Sequence, residues 1–438
     1  MKRQISFGQA LATVVGTVIG GGVFFKIGAI TEQTGSPSLT LLVWIIAGLI
    51  SIASGLTVSE IAGALPVTGG SIKYIEYTYG KVWGFLFGWA QMVIYFPANI
   101  AALSVIFGQQ FATLFNIKPR YATLIALILA IFLMLLNFIS TKFSSKMQSI
   151  MTILKIIPIA LIVLFGLFSS NKINFNFIPI QPGPGKNIST ALSGGLLAAL
   201  FAFDGWINVT NLAGEIKHPE KNLSRAIIIG LSAITIIYFL VNYTFMIAIP
   251  FKEIIGNQNT AYLASLKLFG NLGGKIITIG ILISVYGAIN GFMLTGIRIP
   301  YTLAKDKFLP FSDKIGKTNI NTGVPTISAL IILFFALIMI LLGTFDLLTN
   351  MLVFVMWTFT TLISIAVVIL RFREPRLKRP YVVPWYPIIP IISIGGGIFI
   401  IVSTIINQFW LSITGIGITL LGLPIYYFTN KYNQRKTD

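Results

Sequence analysis

The run Gly16-Thr17-Val18-Ile19-Gly20-Gly21-Gly22-Val23-Phe24 sets three consecutive glycines inside an apolar stretch long enough to cross a bilayer. Each glycine costs about 1 kcal/mol relative to alanine in a helix interior. Backbone groups freed by a break in hydrocarbon are expensive unless protein, water or a ligand satisfies them. The pattern predicts two half-helices meeting at the glycines, one aiming a positive N-terminus and the other a negative C-terminus at the same point. Those partial charges suit a zwitterion, which points to an amino acid bound at mid-membrane. A carboxylate would accept hydrogen bonds from the N–H groups of Gly20, Gly21 and Gly22, where no side chain blocks approach. An ammonium would donate to the carbonyls of Thr17, Val18 and Ile19, and to those of Phe201, Ala202 and Asp204 in a second interrupted stretch, Phe201-Ala202-Phe203-Asp204-Gly205-Trp206. Such a site reads the amino-acid backbone and leaves side-chain choice to its walls.

The elements that must position these groups are membrane helices. Hydrophobic residues make up 55% of the 438 and charged residues 10%, and apolar runs near 20 residues recur throughout, too many for a soluble core. The sequence predicts an all-α integral membrane protein with twelve spans, near residues 8–30, 38–60, 82–110, 121–140, 148–168, 191–213, 226–249, 275–303, 325–343, 347–370, 386–406 and 410–429. Counted over alternate loops, lysine and arginine number twenty-one on the side of Lys2 and Arg3 and seven on the other. Both termini are therefore expected in the cytoplasm. The net charge of +19 is mostly this bias, and the run Arg371, Arg373, Arg376, Lys378 and Arg379 reads as an orientation signal beside anionic headgroups. No small-residue cleavage site follows the first apolar stretch, so that span is expected to stay.

The two interrupted helices suggest an internal repeat. Ser193-Gly194-Gly195 opens span 6, which then meets the Asp204-Gly205 pair. Spans 1–5 (residues 1–170) and 6–10 (190–371) read as two repeats whose odd count forces opposite orientation, with discontinuous helices 1 and 6 in equivalent places. Spans 11 and 12 (386–430) are then peripheral to a single transporter domain, residues 1–438. A lone glycine in a membrane helix usually serves close packing. The triplet, paired with a second break one repeat later, favours binding instead.

Several function classes fall away. The chain has no cysteine, which removes disulfides, thiolate metal sites and cysteine nucleophiles. No loop is long enough for a nucleotide-binding domain, and Gly183-Pro184-Gly185-Lys186 lacks the spacing of a phosphate loop. A membrane-embedded enzyme would need convergent acids, bases or metal ligands, whereas this sequence offers one histidine, His218, in a loop and one deep acid, Asp204. No cofactor or metal is expected, and nucleic acid has little behind it as a partner.

The charged and polar residues within spans leave alternatives open. Lys155 lies about seven residues, or ~10 Å, inside span 5. It could snorkel to the interface, or its ammonium could bridge the freed carbonyls of span 1 as a built-in cation. Asp204 could carry a proton or select cationic side chains, or cap the second half of span 6. Tyr238 in span 7 could hydrogen-bond the unwound backbone of span 1, or serve packing alone. Lys26 and Arg298 lie close enough to span ends to snorkel and receive no role.

From about residue 6 to 430 the sequence resembles the amino acid-polyamine-organocation (APC) superfamily. The glycine run resembles its first-helix signature. Ser59-Glu60-Ile61, Pro66-Val67-Thr68-Gly69-Gly70 and Phe85-Leu86-Phe87-Gly88-Trp89 resemble its helix 2–3 region, and Phe201 to Trp206 with Gly214 to Asn222 its sixth helix and following loop. Ala304 to Pro310 is similar to the loop after helix 8. The wording of helices 1 and 6 is most similar to the L-type amino acid transporter branch and its bacterial alanine-serine-cysteine exchangers. The resemblance implies a LeuT-like fold and sodium-independent exchange of small neutral L-amino acids by alternating access, in a multi-pass, prokaryotic cell-membrane protein. It implies that Phe201 closes over substrate as a gate. It also implies that Lys155, near Ser284, stands where sodium-coupled relatives hold sodium. Animal members join a heavy chain through a cysteine that is absent here, so no disulfide-linked heavy chain is expected. A proton-coupled symporter of the same fold is the alternative, distinguished by whether Lys155 or Asp204 titrates in the cycle.

Overall fold

The computed structural model describes residues 5–65, 69–139, 141–169, 173, 175–319 and 322–437. Lys2 and Arg3, and Pro66, Val67 and Thr68 of the helix 2–3 motif, lie outside the described residues. In chain order the helices are α1 (Phe7–Val18), α2 (Gly22–Thr34), α3 (Pro37–Ala64), α4 (Gly70–Tyr79), α5 (Lys81–Ala90), α6 (Phe96–Leu114), α7 (Ala122–Ile139), α8 (Thr141–Leu154), α9 (Ile156–Leu167) and α10 (Ile188–Ala202). They continue with α11 (Pro219–Ala248), α12 (Phe251–Ile254), α13 (Thr260–Gly296), α14 (Arg298–Lys305), α15 (Ser312–Ile315), α16 (Thr326–Leu342), α17 (Phe345–Arg373), α18 (Ile388–Asn407), α19 (Phe409–Leu420) and α20 (Gly422–Thr437). The described residues contain no strand, only an isolated bridge between Ile5 and Ile216.

Among the described residues nine helices are long and apolar enough to cross a membrane, and α1 with α2, bent by 46° at the glycine run, makes a tenth. Two shorter apolar helices, α10 and α16, fall in the intervals predicted for spans 6 and 9. Each of the twelve predicted intervals contains helix.

Local chemistry accounts for the boundaries that matter. The α1 helix begins with a capping box: the Gln9 N–H donates to Ser6 Oγ at 3.4 Å, and the Ser6 N–H donates to Gln9 Oε1 at 2.9 Å. It ends where Ile19 turns extended, with ψ of 106°. The α2 helix stops at Gly35, in the left-handed region at φ 66°, and Ser36 caps α3 with Pro37 in its first turn. Between α8 and α9 the helix is interrupted at Lys155, three residues before Pro158, which cannot donate to the carbonyl four residues back. A π-helical turn over Gln91–Tyr95 precedes Pro97 for the same reason.

The chain forms two compact units, each drawing on both halves of the sequence. One comprises Met1–Pro66, Met151–Val285 and Arg376–Gln408; the other comprises Val67–Ile150, Tyr286–Pro375 and Phe409–Asp438. Both glycine-interrupted stretches, Lys155, Tyr238 and Ser284 belong to the first. In it α2 and α10 pack antiparallel: Gly22 abuts Ala202 at one end, and Gly194 and Gly195 meet Gln33 and Thr34 at the other. In the second unit a buried chain of amides runs from Asn137 Nδ2 to Asn290 Oδ1 at 3.0 Å and from Asn290 Nδ2 to Gln148 Oε1 at 3.1 Å. The exposed ion pair Lys307 to Asp313 closes the loop before α15.

Candidate substrate site

The α1 helix runs out at Val18 and α2 begins at Gly22, so the peptide groups between them have no continuous helical ladder. Among the described residues no protein group accepts from the N–H groups of Gly20, Gly21 or Gly22, the donors the sequence singles out. Gly21 stands at the N-cap of α2 with no side-chain cap, leaving the first turn's N–H groups to whatever lies at the break. Gly22 is required here by space. A Cβ on it would sit 2.6 Å from Ala202 Cα, so the start of α2 and the end of α10 meet backbone to backbone.

The carbonyls at the break are partly occupied. Lys155, 1% exposed, donates from Nζ to the carbonyl of Ile19 at 2.6 Å and also to that of Gly16. Its side chain does not snorkel: it turns inward, from the α8–α9 interruption onto the end of α1. Thr152, one turn earlier, packs against Gly16 and fixes that approach. Tyr238, wholly buried, reaches from α11 with its hydroxyl 3.0 Å from the Val18 carbonyl and 3.0 Å from that of Ala202. One phenol is thus shared between the two breaks. Its ring is held by Trp44 at 5.6 Å and Phe203 at 5.2 Å, both edge-on.

The second break follows α10. Asp204 N–H donates to the Phe201 carbonyl at 3.2 Å, and the chain resumes as a 3₁₀ helix over Trp206–Glu215. Gly205 occupies the cap position at φ 104°, so the cap considered for Asp204 falls one residue further on. Only glycine fits there: a Cβ would meet the Thr17 carbonyl at 2.8 Å. Thr17 Oγ1 lies 3.1 Å from the Gly205 carbonyl, tying the two breaks together a second time. Of the six carbonyls proposed for an ammonium, those of Val18, Ile19, Phe201 and Ala202 already take a protein donor. The Phe201 carbonyl takes two, from the Phe203 and Asp204 N–H groups; the other three keep a second lone pair, while the Thr17 carbonyl takes no donor among the described residues.

Ser284 is buried on α13, its hydroxyl without a hydrogen-bond partner among the described residues. Pro158, three residues after Lys155, lies against Gly280, one turn before Ser284 on the part of α13 that follows its non-helical break at Gly270.

Two site features escaped the sequence. Lys26 is not at an interface. It is 0% exposed, its Nζ 5.6 Å from the centre of the Phe201 ring, because α10 covers one side of α2 and the segment after α12 covers another, where Gly256 N–H donates to the Gly28 carbonyl at 3.0 Å. Arg298, by contrast, is exposed at the start of α14. The other is the aromatic box of Trp44, Phe203 and Tyr238. Trp44 lies in a helix apolar on every face, which offers no periodicity to read.

The sequence that folds into this glycine-hinged half-helix pair is similar over nearly its whole length to known transporters. The profile of the amino acid permease family covers residues 5–428. The chain belongs to that family. The permease is 39% identical over 433 residues, 98% of each chain, to the serine/threonine exchanger SteT of Bacillus subtilis (strain 168). It is 27% identical to the human cystine/glutamate transporter, over 98% of this chain and 85% of the relative. It is 26% identical to the mouse Asc-type amino acid transporter 1, over 98% and 81%. The permease is thus a multi-pass membrane protein of the APC superfamily with L-type relatives, and its family and relatives are transporters rather than enzymes.

Proposed function

We propose that this permease is a sodium-independent antiporter that exchanges small neutral L-amino acids of the alanine, serine and cysteine type by alternating access. The observation that carries the reading is the Lys155 ammonium on the Gly16 and Ile19 carbonyls, a cation supplied by the protein at the end of the first half-helix. The resemblance places sodium there in coupled relatives. A resident lysine makes an external ion unnecessary and penalises reorientation of the empty carrier, which favours exchange over net uptake. The named activity of the Bacillus subtilis relative, serine/threonine exchange, supports the same substrate size.

In this reading the carboxylate of the substrate rests on the N–H groups of Gly20, Gly21 and Gly22, and its ammonium on the carbonyls of Thr17, Val18, Ile19, Phe201, Ala202 and Asp204. Phe201 gates the site, while Lys155, Ser284 and Tyr238 couple the breaks to the conformational cycle. Helices 1 and 6 are discontinuous members of a 5+5 inverted repeat within twelve spans, both termini are cytoplasmic, and the chain works in a prokaryotic cell membrane without a disulfide-linked partner.

Asp204, an ionisable group only half-buried in the second break, favours a second reading, a proton-coupled symporter. Purified protein in liposomes loaded in turn with each of the twenty amino acids, against one labelled external amino acid, separates the two. Exchange predicts uptake only with internal substrate, unchanged when sodium is replaced. Uptake into empty vesicles under a pH gradient would overturn it in favour of the symporter.

A further inference from the structure

Lys26 is a buried cation in the wall of the glycine break, and its placement follows from the helix register. Gly22 and Lys26 are one turn apart on the same face of α2. Because Gly22 meets Ala202, and α10 runs antiparallel to α2, that face delivers the Lys26 side chain to the last turn of α10, where Phe201 sits. The result is the ammonium 5.6 Å from the ring centroid, with Lys26 0% and Phe201 6% exposed. An ammonium over an aromatic face is drawn to the ring's negative quadrupole, more strongly where water is excluded.

We propose that Lys26 is a positioning residue for the Phe201 gate: its ammonium holds the ring over the site, so that the gate's closure depends on the electron density of the ring's face. This rests on the reading of Phe201 as the gate. It assigns to the α2 half-helix a second function besides presenting its N–H groups. A cation fixed to α2 and a ring fixed to α10 also link the two broken helices by a contact separate from the Tyr238 hydrogen bonds.

The test is graded fluorination of the ring, with mono-, di- and trifluorophenylalanine incorporated at position 201. Fluorine drains the face of the ring with little change in shape. With Lys26 present, leak of labelled serine from preloaded liposomes into amino-acid-free medium should rise stepwise, about tenfold across the series, and thermal stability of the purified protein should fall in parallel. In Lys26→Met both responses should be flat, and Lys26→Arg should restore the slope. Flat leak and flat stability with Lys26 intact would overturn the proposal, as would equal slopes in Lys26→Met. Should Lys26→Met not fold, the series on the unaltered lysine still decides. Absence of any serine transport by the unmodified protein would instead count against the exchanger reading, while the stability series still reports the contact.

Discussion

Lys155 and Ile19, 136 positions apart in sequence, are joined by a buried hydrogen bond of 2.6 Å from ammonium to carbonyl. The same ammonium also serves Gly16. A charge-assisted bond contributes about 1.5–3 kcal/mol, and the alternative for each carbonyl is to remain unpaired in a low-dielectric interior. The lysine therefore fixes where the first helix ends and where the second can begin.

Replacing Lys155 with methionine keeps the length of the side chain and removes its charge. Exchange in proteoliposomes is expected to fall at least about tenfold, the equivalent of ~1.4 kcal/mol, with a lowered melting temperature. Unchanged kinetics would show that the ammonium does not organise α1.

Tyr238→Phe deletes the shared hydroxyl while keeping the ring against Trp44 and Phe203. Losing the donor to the Val18 and Ala202 carbonyls should cost about 1–3 kcal/mol, read as a reduced melting temperature and at least a severalfold slower exchange. A variant indistinguishable from the parent in both would contradict the bridge.

Gly22→Ala introduces a Cβ 2.6 Å from Ala202 Cα, where main chain cannot yield cheaply. Overpacking of this kind costs roughly 1–3 kcal/mol. Gly8→Ala, with nothing within 4 Å of the new methyl, is the control. Thermal unfolding should separate the two, with the second, a helical glycine, unchanged or modestly stabilised and the first clearly destabilised.

Much of this was legible in the sequence, and the exceptions have a common cause. The glycine triplet and the Asp204-Gly205 pair announce their breaks because they violate helix propensity, which is a local property. Lys155 is conspicuous because a charge within an apolar run is costly wherever its side chain points. Facing is different. Helices such as α3 are apolar all round, so nothing in the order of residues tells that Trp44 looks toward Tyr238. The same holds for Lys26: its distance from the end of the predicted span suggests an interface, but α10 and the turn after α12 wrap α2 beyond that point. The cap at Gly205 instead of Asp204 is a shift of one residue, set by the contact between Gly205 and the Thr17 carbonyl.

Outside the spans, Lys73 on α4 donates to Glu76 at 2.7 Å and to Asp306 at 3.1 Å. Burial, the largest single influence, pulls its pKa down, but the two carboxylates together outweigh it and raise it above 10.5. A raised basic pKa contributes stability that is fully present below 10.5 and is lost as pH rises through the folded value. The difference in melting temperature between the parent and Lys73→Met should thus be constant at neutral pH and shrink in strong alkali. A difference that grew with pH would refute the pairing.

The central claim is that main-chain polar atoms at the paired breaks grip the charged ends of a free amino acid. A density map of the permease with L-serine bound tests it most directly. The account predicts the serine carboxylate within hydrogen-bonding distance of the Gly20, Gly21 and Gly22 N–H groups, with its ammonium at the carbonyls that end α1 and α10. Serine lodged elsewhere, or a first helix continuous from Phe7 to Thr34 in the bound state, would contradict it.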